Sequence, residues 1–258
     1  MKKKLKKLIY IILKPLITLE CAISKKLVSA SYGHLMQLEW GGYSGTNPEF
    51  FNHEMDLYYQ WRLTRNALWV ERGVFGSLAL SGNGRILELA CGDGFNACNF
   101  YSLRCSSILA CDFDFDALAI ARDKNTAENL EYIYCDIRAG LPGGHSEFDN
   151  IIWDAAIEHF TEDEIPKIMH EIKDRLKVDG VLSGYTLVEK ETGQKHIHQH
   201  EYEFKSKEDL LRFLKPHFKY VSVFETIYPS RHNLYFWASD GIIPFSNQWP
   251  SIARVHAN

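Results

Sequence analysis

What the sequence lacks narrows its class first. Six cysteines stand among its 258 residues, yet no two form a C-x-x-C pair and no His–Cys spacing has the form of a zinc site. Several of the six (Cys21, Cys91, Cys98, Cys105, Cys111, Cys135) fall in apolar surroundings, where a free thiol packs as a small hydrophobe. They read as reduced thiols of a reducing compartment rather than as a disulfide framework. No apolar run reaches the roughly 20 residues that a spanning helix needs. A basic excess is missing too: 29 Lys and Arg stand against 33 Asp and Glu, a net charge of −4, which does not support a nucleic-acid partner. Internal repeats and low-complexity tracts are absent. What remains is ordinary for a globular chain, 46% hydrophobic and 24% charged, and long enough for one α/β domain with an N-terminal addition.

The N-terminus opens with lysines at 2, 3, 4, 6 and 7, followed by an apolar run over residues 8–13. A secretory signal also begins this way, and Val28-Ser29-Ala30 has the look of a cleavage site, but Lys14, Pro15 and Glu20 break the apolar region. Leu5, Leu8, Ile9, Ile12, Leu16 and Leu19 recur at three- and four-residue steps and share one helical face. Residues 1–30 are therefore expected to form a basic amphipathic helix. Its face over residues 1–23 has two open partners: anionic lipid at the inner side of a membrane, or the chain's own domain or a sister subunit. The expected setting is cytoplasmic. Residues 31–80 read as a helical lid, with a Gly-rich loop at 41–45 and a helix from Asn47-Pro48 to about residue 70.

From residue 81 onward apolar runs alternate with amphipathic ones. Strands are expected at 86–90, 107–111, 132–135, 148–153 and 180–186, and helices from 95, at 116–125 and at 161–176. That alternation means a parallel sheet with helices on both faces. A Ser206-capped helix follows, then strands near 220–226 and 234–238, joined through 227–233 as an antiparallel hairpin.

The segment LELACGDG (residues 87–94) is a strand running into a Gly-containing turn that opens a helix. Gly92 and Gly94 let backbone N–H groups approach a ligand, and the helix start favours an anion. Residues 92–97 also fit the dinucleotide fingerprint G-x-G-x-x-A, and Asp112 lies 20 residues beyond Gly92. These two features alone leave a nicotinamide dinucleotide and another nucleoside cofactor equally open, with Asp112 accepting from ribose hydroxyls in both cases.

Later segments separate them. Taken with ACDFD (110–114), CDI (135–137), FDNIIWDAAIEHF (148–160) and LKVDGVL (176–182), the chain resembles the class I S-adenosylmethionine-dependent methyltransferases over about residues 84–240. The resemblance implies a Rossmann-like, doubly wound sheet of seven strands with an antiparallel last strand, and S-adenosyl-L-methionine as cofactor. By resemblance Glu88, Ala90, Gly92 and Gly94 surround the methionine part, with Ala90 where the family usually has glycine. Asp112 takes the ribose hydroxyls, Phe113 packs near the adenine, Asp136 faces the adenine amino group and Ile137 lies on the ring. Trp153 and Asp154 would stand beside the sulfur. The expected partner is a small-molecule acceptor, methylated on a hydroxyl, with a protein or RNA acceptor and an NAD-dependent oxidoreductase as the alternatives.

Transfer from a sulfonium asks the protein to position a nucleophile and remove its proton. His159 is the first candidate base, against a purely structural role at its corner. The run His196-Ile-His-Gln-His200, if extended, puts His196, His198 and His200 on one face. His198 is the second catalytic candidate, facing the acceptor. A row of solvated imidazoles is favoured over a metal site there, so no metal is expected. Tyr43, Tyr58, Tyr59, Arg62 and Arg65 are candidates to cover the cofactor, and Arg231 to hold an anionic acceptor.

Overall fold

The computed structural model describes residues 2–40, 67–80, 82–193, 195–229 and 231–241. The chain divides into two compact units, Met1–Tyr59 and Gln60–Asn258.

In the first unit one helix, α1 (Lys2–Trp40), runs without a break through the boundary expected at residue 30. Pro15 lies inside it, and nothing between there and Trp40 is a strong breaker except Gly33. Ile12, Leu16, Leu19, Ile23 and Leu27 are exposed along it. Among the described residues no helix is long and apolar enough to cross a membrane.

The first described helix of the second unit is α2 (Leu68–Leu78), which ends eight residues past the end expected for the lid helix; the Gly-rich loop, Tyr43, Tyr58, Tyr59, Arg62 and Arg65 lie outside the described residues. Seven strands follow: β1 (Arg85–Leu89), β2 (Ser107–Asp112), β3 (Leu130–Tyr134), β4 (Phe148–Asp154), β5 (Leu176–Leu187), β6 (Tyr220–Tyr228) and β7 (Arg231–Ser239). They form one sheet in the order β3-β2-β1-β4-β5-β7-β6. β1 to β5 are mutually parallel, and β7 runs antiparallel to both β5 and β6. The expected hairpin is therefore present, but its strands extend through the segment read as a link. The turn shrinks to the neighbourhood of Pro229, and Arg231 is the first residue of β7 rather than a loop residue.

Three helices cross over the sheet: α3 (Phe115–Lys124), α4 (Glu164–Arg175) and α5 (Lys207–Leu214). α3 starts where Asp114 Oδ1 accepts the N–H groups of Asp116 and Ala117 at 2.8 and 3.1 Å, and α5 where the Ser206 hydroxyl accepts those of Glu208 and Asp209. α4 buries Ile165, Ile168, Met169 and Ile172, one stripe at helical spacing.

Strand alternation sorts side chains between two cores. Leu87, Leu89, Ile151, Trp153 and Leu182 face the larger one, with α4 and α5. Ile86, Ala110 and Ile152 face a second, built with Leu80, Tyr101 and Leu118. Gly184 lets the middle of the sheet close: a Cβ there would sit 2.0 Å from the Trp153 carbonyl oxygen and 2.4 Å from Phe236. Only glycine fits between β4 and the β7 side chain.

Candidate functional site

The carboxyl ends of β1, β2 and β4 carry three buried carboxylates, Glu88, Asp112 and Asp154. Each arrives by a different local route. After β1 the chain turns through Ala90 and Gly92 in left-handed backbone, φ 53° and 56°, before Gly94 at φ 73°. Ala90 accepts this conformation at a cost of about 1–2 kcal/mol that a glycine would not incur. Gly94 is required by packing as well as by φ: its Cβ would fall 2.1 Å from the Tyr132 hydroxyl. The turn presents the Gly92 N–H to Asp112 Oδ2 at 2.8 Å, while Asp112 Oδ1 accepts the N–H of Asp114 at 2.9 Å. Burial raises the Asp112 pKa and these two backbone donors draw it back. Each carboxylate oxygen keeps a further lone pair, the number a ribose diol needs.

Glu88 is 3% exposed, and its Oε2 has no hydrogen-bond partner. Burial, then the nearby Asp154, push its carboxyl well above the ordinary range, while Arg72 pulls the other way. A buried, unsatisfied carboxylate oxygen fits an ammonium group. Asp154, on the same sheet face two positions beyond the partner of Glu88, is held by Arg72 of α2. The guanidinium Nε and Nη2 donate to Asp154 Oδ2 at 2.9 and 2.7 Å, and Asn96 Nδ2 adds a bond at 3.1 Å. Burial opposes the charge on Arg72, and Asp154 more than offsets it, raising the guanidinium pKa.

Around this centre the other expected residues are placed unevenly. Asp136 is half-buried just past β3, with Oδ1 accepting the Arg138 N–H at 3.0 Å. Ile137 is buried in the larger core, and Phe113 is 59% exposed. Trp153 corrects its expectation. Alternation along β4 turns the indole away from Glu88 and Asp154 into the larger core, where it meets Phe160 edge-on at 5.5 Å. Arg231 donates to the Tyr185 hydroxyl at 2.8 Å and to Asn233, not to open solvent.

The histidine run is not extended. Residues 196–199 form bends and a turn, which leaves His198 exposed and sends His196 and His200 to one acceptor, Glu203. His200, not His198, joins His159: the two rings meet edge-on at 4.9 Å between centroids. Burial lowers the His200 pKa against the pull of Glu158 and Glu203. Beside them Glu158, 2% exposed, accepts the Thr186 hydroxyl of β5 at 3.0 Å. The expectation of three histidines on one face fails because turn backbone does not alternate as a strand does. All six cysteines are free.

A parallel sheet with one reversed strand, and carboxylates at the tips of β1 and β2, defines a nucleoside-binding domain of the methyltransferase type. An all-parallel dinucleotide-binding sheet has no counterpart to β7. Residues 86–180 match the family model described as a methyltransferase domain. The chain thus carries a class I S-adenosylmethionine-dependent methyltransferase domain, and S-adenosyl-L-methionine is its cofactor. Among solved structures the chain is similar to a presumed methyltransferase of Bacillus halodurans C-125 (17% identity, 69% of this chain and 100% of that one, TM-score 0.55). A SAM-dependent methyltransferase of Aquifex aeolicus aligns at 14% identity, over 69% of this chain and 92% of that one, TM-score 0.50. The 4+2 cyclase SpnF aligns at 15% identity, over 64% and 79%, TM-score 0.52. At these identities the likeness is one of fold. No curated protein matches the chain.

The orphan oxygen of Glu88 yields a direct expectation. Its raised pKa means that the folded protein holds a proton where the unfolded chain has lost it. That contribution to stability is complete below the ordinary value of 4.5 and is lost as pH rises from there toward the raised value. Glu88→Gln should therefore be more stable than wild type at pH 8 when cofactor is absent, with the advantage gone at pH 4 in thermal melts. At pH 8 the same variant should bind S-adenosylhomocysteine about tenfold more weakly, through the lost charged partner of its ammonium. Unchanged affinity would show that the ammonium lies elsewhere.

Proposed function

We propose that the enzyme methylates a hydroxyl of a small-molecule acceptor (a sugar, a lipid-linked intermediate or another metabolite), working in the cytoplasm against the inner face of a membrane. The observation that carries this reading is the group Glu158, His159 and His200, in which Glu158 and His159 stand four and five residues past Asp154, His200 meets His159 edge-on, and Glu158 is tied to the end of β5 through Thr186. When bound, S-adenosyl-L-methionine supplies a methyl group already activated on a sulfonium. A hydroxyl at neutral pH still needs help to lose its proton, and imidazoles at the edge of the sheet can supply it.

The residues divide the work. Glu88 draws in the ammonium of the cofactor, Asp112 accepts from its ribose hydroxyls and Asp136 from the adenine amino group. His159, half-buried at the rim, would receive the acceptor's hydroxyl proton, leaving an oxygen able to take the methyl group that the cofactor would supply.

Two observations favour the acceptor class. The net charge of −4 offers no general attraction for RNA. The exposed apolar residues of α1, with Lys14, Lys25 and Lys26 on the same helix, suit an anionic membrane surface where lipid-linked substrates lie. The test is methyl-labelled cofactor added with the full chain to separated cell fractions. Label is expected in the polar-metabolite or lipid-linked fraction. Label confined to RNA or protein would overturn the acceptor class.

A further inference from the structure

Glu158, His159 and His200 are the one group of three ligand-capable side chains among the described residues whose donor atoms all lie within 4.8 Å of one another. Their surroundings fix how each can act. His200 directs Nδ1 at the Glu203 carboxylate, and His159 directs Nδ1 at the Gln199 carbonyl oxygen at 3.3 Å. Both partners can only accept, so each Nδ1 carries a proton, which leaves Nε2 as the nitrogen through which either ring can ligate. Glu158 accepts the Thr186 hydroxyl through Oε2 alone. One ring nitrogen of each histidine and a carboxylate oxygen of Glu158 lie within 4.8 Å of one another, an arrangement of donor atoms that favours a cation. A carboxylate or carbonyl on the distal imidazole nitrogen is also the usual support of a metal-ligating histidine.

We propose that Glu158, His159 and His200 bind one divalent transition-metal ion, with Glu203 and the Gln199 carbonyl as positioning groups. Two nitrogen donors and one oxygen donor select an ion such as zinc, manganese, iron or cobalt over magnesium or calcium. Three protein ligands leave coordination positions open, as catalytic metal sites do and structural ones do not.

Resting on the hydroxyl-methylation reading, the open positions take the acceptor oxygen and lower its pKa, so that its proton passes to solvent before the oxygen attacks the methyl carbon. His159 then serves as a ligand and replaces its own role as base. The fold supplies the scaffold from distant parts of the chain: Glu158 and His159 follow β4, and His200 comes from the loop after β5. That loop is fastened back onto the site by the N–H groups of Glu201 and Tyr202, which donate to the Glu158 carbonyl at 2.8 and 3.1 Å.

The experiment is cobalt(II) titration of the untagged, EDTA-treated full chain, followed by visible absorption with neither cofactor nor acceptor present. One equivalent is expected to develop the ligand-field bands of a nitrogen-coordinated ion, and zinc should bleach them. His159→Ala, at a half-buried position where truncation is best tolerated, and His200→Asn should both lose the bands while keeping S-adenosylhomocysteine affinity. Glu203→Gln should weaken cobalt binding about 10- to 100-fold without abolishing it. Only the spectrum of the free aqueous ion in wild type, or full bands in both histidine variants, would overturn the site. Because no methyl transfer is read, this result stands or falls apart from the acceptor assignment.

Discussion

Asp112→Ala is expected to weaken S-adenosylhomocysteine binding at least ~100-fold, the loss of two charge-assisted bonds to ribose hydroxyls at about 1.5–3 kcal/mol each. The carboxylate also organises the turn after β1, because Gly92 and Asp114 both donate their N–H groups to it at 2.8 and 2.9 Å. Truncation leaves those donors without an acceptor at the tip of β2, so the melting temperature should fall as well. Asp112→Asn separates the two roles. Its single carbonyl oxygen can retain one backbone donor but cannot serve both donors and the diol, so stability should recover more than affinity does. Isothermal titration with S-adenosylhomocysteine and with NAD on the same samples checks the whole assignment. Undiminished S-adenosylhomocysteine affinity in Asp112→Ala would remove Asp112 from the site, and tight NAD binding by wild type would favour the oxidoreductase reading.

The contrast between Asp112 and Arg72 shows what a sequence of this kind reveals. The placement of Asp112 was legible because its signal is local: a strand end, a fixed spacing from Gly92 and an acidic side chain. Glu88 was legible for the same reason. The strand positions, the closing hairpin and the Ser206 cap followed from apolar runs and from residues whose preferences act within a turn or two. Arg72 left no such signal. It lies in an apolar helix, 82 residues from Asp154, and only the packing of α2 on the β4 face brings them together. The direction of the Trp153 indole was legible too, since it differs from Asp154 by one residue in a strand and so had to face the other way. The choice of His198 over His200 rested on extended backbone, and the turn at 196–199, set by the pull of Glu203 on two imidazoles, reversed it.

The pairing of Arg72 with Asp154 carries the second large effect. Both side chains are nearly buried, at 12% and 6% exposure. A buried pair contributes little net stability when compared with a well-packed apolar pair, yet removing one partner strands a charge. Arg72→Ala should therefore destabilise the domain by about 3–5 kcal/mol. For a domain of this size that is a fall of about 6–20 °C in melting temperature. Cofactor affinity should fall with it. Arg72 is the cation that opposes the upward shift of Glu88, so its loss favours a protonated, uncharged Glu88, a weaker partner for the ammonium proposed to bind there. Asp154→Asn should cost a similar amount, by leaving the guanidinium uncompensated. The double variant Arg72→Met with Asp154→Leu removes both charges and should recover most of the stability while leaving cofactor affinity low. Calorimetric melts of wild type, Arg72→Met, Asp154→Leu and the double variant form a closed cycle. A double variant no more stable than Arg72→Ala would show that the pair acts through packing of α2 against the sheet and not through its charges.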